Sequence, residues 1–144
     1  MKLIVVGVDG SEPAAAALRF AASEARTHGA RLRAVIAWTI PSDFYMTGFA
    51  VAVSELSQEL AREAKGALDG ALDALASELD GVEVDRVVLQ GQAASVLLKE
   101  AQDADLLVVG SRGRGGFSGL LLGSVSQQCA HHATPPIVIV RPKD

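Results

Sequence analysis

The chain has 144 residues, a formal net charge of −4, 49% hydrophobic residues and only 4% aromatic ones. This predicts one domain over residues 1–144 with an aliphatic core, and it argues against a nucleic-acid binder. The single cysteine, Cys129, excludes an internal disulfide framework and fits a reducing, cytoplasmic setting, and no apolar run reaches the length of a leader core or a membrane span.

Leu3 to Val8 is a continuous aliphatic run stopped by Asp9-Gly10-Ser11. It predicts a buried parallel strand and a turn. Ser11 fits an N-cap with Pro13 in the first helical turn. Ala14, Leu18, Ala21 and Ala25 recur at helical spacing, and Gly29 ends the helix. Leu32 to Trp38 is the second strand. Thr39 to Val53 is a long connection rich in apolar residues, among them Phe44, Tyr45, Met46 and Phe49. It is expected to be a lid or a contact surface. A second helix is expected from about Ser54 to Leu79, its apolar face marked by Leu56, Leu60, Ala64, Ala67, Ala71 and Leu75. A third strand (Val82 to Leu89), a short helix (Ala94 to Gln102) and a fourth strand (Leu106 to Val109) follow. A fourth helix (Ser124 to Ala133) and a fifth strand (Ile137 to Val140) complete the chain. Strands alternating with helices predict an α/β fold, a parallel sheet covered on both faces.

The stretch from Val108 to Ser124 carries the functional signal. An apolar strand ends at Gly110, a glycine-rich basic loop follows, and a small polar residue opens a helix. Glycines let the main chain approach an anion, and a helix N-terminus supplies free N–H groups and partial positive charge. The P-loop pattern is absent because no Gly-Lys pair occurs here, and the dinucleotide fingerprint from Gly113 fails at Ser118. In an open α/β sheet, ligands bind beyond the carboxyl ends of the strands. The turn at Asp9 and the glycine loop form one crevice if the first and fourth strands are neighbours. Ala37 and Trp38 would then wall a base.

The spacing that does fit is G-x2-G-x9-G-[ST], on Gly110, Gly113, Gly123 and Ser124. With Asp9 and the element order, the whole chain resembles the nucleotide-binding branch of the universal stress protein family. The resemblance implies a Rossmann-like sheet of five parallel strands in the order 3-2-1-4-5, and ATP as ligand. It implies that Gly7, Val8, Asp9 and Ala37 border adenine and ribose, and that Val109, Gly110 and Gly113 line ribose and phosphates. Gly123, Ser124, Val125 and Ser126 would donate to the phosphate tail, with Arg114 of the loop beside it. It further implies a homodimer through residues 137–140, whose apolar edge would otherwise stay open.

Each signal has a plainer reading. Asp9 fits a helix cap as well as a ligand contact, and Ser124 with Gln127 fits a capping box. Arg112 and Arg114 fit solvated loop cations. His131 and His132 are adjacent on a helix and share no face, so no protein-only metal site is expected, and Mg²⁺ would be held through the nucleotide phosphates. No Walker lysine and no water-orienting group is evident. The expectation is therefore ATP binding with little or no hydrolysis. The alternatives are a slow ATPase, a cyclic AMP binder in the same crevice, and a flavodoxin-like carrier.

Overall fold

A computed structural model describes residues 1–42, 44, 50–113 and 122–143. Its elements are strand β1 (Leu3–Gly7), helix α1 (Glu12–His28), strand β2 (Arg31–Trp38), helix α2 (Ala50–Ala74), strand β3 (Val84–Gln90), helix α3 (Ala93–Glu100), strand β4 (Leu106–Gly110), helix α4 (Ser124–His132) and strand β5 (Ile137–Val140). The strands form one parallel sheet in the order β3-β2-β1-β4-β5. The order anticipated from the family resemblance is therefore the observed one.

The period-2 alternation of the strands divides the core in two. Ile4, Val6 and Val8 point to one face, with Leu32, Ala34, Ile36 and Val108. There they pack against Ala17, Leu18 and Ala21 of α1 and Leu68 and Leu72 of α2. Leu3, Val5, Val35, Leu107 and Val109 point to the other face and pack against Val96 and Leu97 of α3 and Cys129 of α4. The site expected from the sequence draws on this second, thinner layer and on the loops beyond it.

Local signals explain most boundaries. Ser11 is the N-cap of α1, its side chain accepting from the Ala14 N–H, and Gly29 ends the helix at φ 63°. Asp105 fixes the start of the central strands, its Oδ2 accepting from the N–H groups of Lys2 and Leu3 at 2.7 and 2.9 Å. Helix α2 begins four residues before the expected Ser54 and ends at Ala74 rather than Leu79. Beyond Ala74 the chain stays coiled: Leu75, Ala76 and Val82 each donate to the carbonyl three residues back. Leu75 thereby keeps its place in the core, 5% exposed. Of the long connection after β2, residues 43 and 45–49 lie outside the described residues, and Phe44 N–H bonds the Pro41 carbonyl at 3.0 Å.

Candidate functional site

Several segments meet beyond the carboxyl ends of β1 and β4. They line a crevice that encloses about 480 Å³ out to its mouth, a size suited to a small-molecule ligand. Gly7, Val8 and Asp9 form one wall, and Val109, Gly110 and Gly113 another. Ala37 closes the β2 side, and Val125 and Ser126 bring in the first turn of α4. The structure thus gathers nine of the residues singled out in the sequence. Gly123 and Ser124 do not line the crevice, although they open the helix that does. Arg114 lies outside the described residues.

Each signature glycine meets a different neighbour. A Cβ on Gly110 would fall 2.6 Å from the Pro13 carbonyl carbon and 2.9 Å from the Ala14 nitrogen, so the first turn of α1 passes directly over the end of β4. A Cβ on Gly113 would meet Asp9 Oδ2 at 2.8 Å, and one on Gly123 the Arg112 Cα at 3.3 Å. Asp9 also organises its own turn: its Oδ1 accepts from the Ser11 N–H at 2.8 Å and from the Ser11 hydroxyl at 2.5 Å. The carboxylate therefore supports the capping residue of α1 while it faces the glycine loop. Ser11, not Asp9, is thus the cap of α1, and Asp9 supports that cap while lining the crevice.

Pairing between β1 and β2 ends with the Val8 N–H donating to the Val35 carbonyl at 2.8 Å. Ala37 lies two residues further on the same edge of β2, where β1 has already stopped at Gly7. Its N–H and C=O therefore face the crevice. Trp38 does not, which corrects its expected part in the wall. One residue on, it turns to the opposite face of the sheet, packing on the layer of α1 and α2 and bordering Arg62 and Lys65.

Helix α4 departs from the expected capping box. Its N-cap is Gly123, which has no side chain to offer, so Ser124 is the first helical residue rather than the cap. Gln127 contributes only a main-chain bond, its N–H donating to the Gly123 carbonyl at 3.0 Å. The Gly123 N–H is itself committed, donating to the Ser111 carbonyl at 2.7 Å. The helix thus begins without a side-chain cap next to the crevice, the arrangement in which terminal N–H groups remain available to an anion.

Sequence reasoning missed Ala14, Val35, Ala93 and Leu97, which complete the apolar lining, and undervalued Arg112, which borders the crevice. Ala93 and Leu97 stand four apart on α3, a spacing that puts them on one face. Cys129 sits in the core behind the site, and burial pushes its thiol up to about 11. Among the described residues, no three His, Cys, Asp or Glu side chains are grouped to hold a metal ion. No helix among them is long and apolar enough to cross a membrane.

Residues 1–141 match the model of the universal stress protein family. The chain belongs to that family. A universal stress protein of Mycolicibacterium smegmatis is 37% identical over 140 residues, covering 97% of this chain and 46% of the relative. The chain thus spans about half the length of that relative. Among solved structures, the hypothetical protein MJ0577 superimposes with a TM-score of 0.84 at 23% identity, covering 99% of this chain and 97% of the other. A universal stress protein in complex with cAMP has a TM-score of 0.70 at 25% identity, with 99% and 98% coverage. The universal stress protein from Archaeoglobus fulgidus in complex with dAMP has a TM-score of 0.67 at 25% identity, with 97% and 98% coverage.

Proposed function

We propose that this universal stress protein binds ATP in the crevice and holds it with little or no hydrolysis, as a nucleotide-responsive stress or signalling module of the cytoplasm. The observation that carries the reading is convergence. A small apolar pocket, the free edge of Ala37, a glycine-lined loop and a helix start without a side-chain cap all open into one cleft. Adenine lies against Val8, Ala37 and Leu97. The Ala37 N–H and C=O present one donor and one acceptor on a single edge, the complement of adenine N1 and its 6-amino group. Guanine offers the reverse pattern there and is discriminated against.

Asp9 accepts from the ribose, and the phosphates extend past Gly110 and Gly113 towards α4. The N–H groups of Ser124, Val125 and Ser126 receive them, and Gly123 contributes by its small size. Arg112, with Arg114, supplies positive charge. Mg²⁺ is held mainly by the phosphates themselves. Two structural neighbours, one in complex with cAMP and one with dAMP, support the choice of base. Hydrolysis needs charge neutralisation and an oriented water, and the described residues lining the crevice include Arg112 and Asp9 but no lysine.

Two copies pair through the open edge of β5, residues 137–140, whose side chains are only half-buried. This hides an apolar strand edge that is otherwise a liability.

Nucleotide released by denaturing the purified protein, identified by mass spectrometry beside a Gly123→Ala variant, tests the reading. ATP from the wild type and much less from the variant is the expected result. ADP as the main species favours a slow ATPase, and cyclic AMP favours a cyclic-nucleotide sensor. An empty protein that also fails to bind added ATP overturns the proposal.

A further inference from the structure

Ser111 and Ser126 are the buried polar residues among the described ones, each 2% exposed, and they are joined across the site. The Ser126 hydroxyl donates to the Ser111 carbonyl at 2.8 Å and lies 3.0 Å from the Gly123 carbonyl. The Gly123 N–H donates to the same Ser111 carbonyl at 2.7 Å. Ser111 is in turn fixed to the sheet, its N–H donating to the Val140 carbonyl at 2.8 Å. One carbonyl just past the end of β4 therefore holds the start of α4 by two bonds. One comes from the N-cap main chain and the other from a side chain in the third helical position.

A serine hydroxyl has one hydrogen to give. Directed at Ser111, it is not available to a ligand, although Ser126 borders the crevice. The geometry points to Ser126 as the positioning residue of this site. Its hydroxyl aims the N–H groups of Ser124, Val125 and Ser126 at the anionic end of the ligand without touching that ligand itself. The inference rests on the nucleotide reading above and assigns the side chain of Ser126 a different part from its main chain. The aim matters because hydrogen bonds weaken steeply with misalignment, and a displacement of about 1 Å at a binding group is enough to lose much of its effect. In a nine-residue helix that starts without a side-chain cap, this bond acts beside the Gly123 N–H tether and the packing of Val125 to orient the first turn.

Removing the hydroxyl leaves no stranded acceptor. The Ser111 carbonyl keeps the Gly123 N–H, and the Gly123 carbonyl keeps the Gln127 N–H. Ser126→Ala is therefore expected to fold, and its defect to be one of direction. Calorimetry with ATP and with adenosine, together with amide hydrogen exchange of the ligand-free protein, separates the possibilities. In Ser126→Ala, ATP binding weakens about tenfold, adenosine binding changes less than about twofold, and exchange at Gly123 quickens about tenfold, as the loss of one buried hydrogen bond implies. Ser126→Thr, which keeps the hydroxyl, restores the preference for ATP over adenosine.

Parallel weakening of ATP and adenosine would reduce Ser126 to packing and overturn the inference. So would unchanged exchange at Gly123, or faster exchange with ATP affinity intact. A wild type that binds neither adenosine nor ATP instead removes the nucleotide reading and the ligand half of this inference. The exchange measurement still decides whether Ser126 holds the helix.

Discussion

Gly110 and Pro13 stand so close that the glycine has no room for a side chain: a Cβ would lie 2.6 Å from the proline carbonyl carbon. Both partners are main chain, and neither can swing aside. The first glycine of the signature is thus required by the packing of α1 on β4 whatever the crevice contains. Gly110→Ala should cost about 2–3 kcal/mol as an overpacked site, read as a lowered urea midpoint in the ligand-free protein. An unchanged midpoint would show that α1 can retreat.

Gly123 behaves differently. Its φ of −82° suits any residue, and the added Cβ would press on the Arg112 Cα at 3.3 Å. Gly123→Ala should cost about 1 kcal/mol, as when alanine takes a cap position. It should push the start of α4 off the glycine loop and lower ATP retention out of proportion to that cost. The comparison to make is retained nucleotide against unfolding midpoint for Gly110→Ala and Gly123→Ala side by side. Equal loss per unit of stability in both would contradict the separate roles.

Asp105 ties stability to acid. Hydrogen bonds from the Lys2 and Leu3 main-chain N–H groups hold its carboxyl below the usual aspartate range, with the nearby chain terminus and Lys2 charge adding to this. A carboxyl depressed in the fold stabilises it above the unfolded value of about 4, and that contribution disappears as pH falls through the folded value. Asp105→Asn should therefore be less stable than the wild type at pH 7, with the gap shrinking as pH falls below about 4. A gap that stays constant with pH would mean the carboxylate charge is irrelevant.

The Cys129 thiol, fully buried and pushed up to about 11, should be unreactive in the native protein. At pH 8, a thiol-reactive disulfide reagent should label it only in denaturant or at the rate of unfolding. Rapid labelling of the folded protein would show that the α3–α4 layer opens locally.

Along β5, the Pro136 and Val140 carbonyls bond towards β4, which leaves the main-chain groups of Ile137 and Ile139 on the open edge. Ile139→Pro removes an outward N–H and no bond to β4. Sedimentation velocity should find a wild-type dimer and a folded Ile139→Pro monomer. A monomeric wild type at micromolar concentration would count against pairing through this strand.

Much of the fold is legible in the residues because the strands are buried on both faces and the helix ends carry their own punctuation. Ser11, Gly29 and the run Ile137 to Val140 each announce an element by local chemistry alone. The start of α2 is not legible, because nothing near Ala50 marks a cap and the apolar connection before it has no period. The place of Trp38 beside Ala37 suggests a part in the wall, whereas neighbours on a strand face opposite ways. The false capping box at Ser124 and Gln127 has a similar origin. The spacing is correct, but the helix begins one residue earlier than a serine cap requires, held there by the Ser111 carbonyl. Such a long-range tether, between residues 15 apart, leaves no trace in local pattern.

All five strands run the same way, which gives the molecule a front and a back. The crevice opens at the front. Asp105 and the amino end of β1 lie at the back, a strand's length of about 17 Å away. Arg141 to Lys143 emerge at the front, directly after β5. A reporter fused after Lys143 would thus be tethered on the rim that carries the crevice, while the same reporter placed before Lys2 would sit behind the sheet. Labelling the two ends separately turns this polarity into a way of distinguishing events at the crevice from motion of the whole protein.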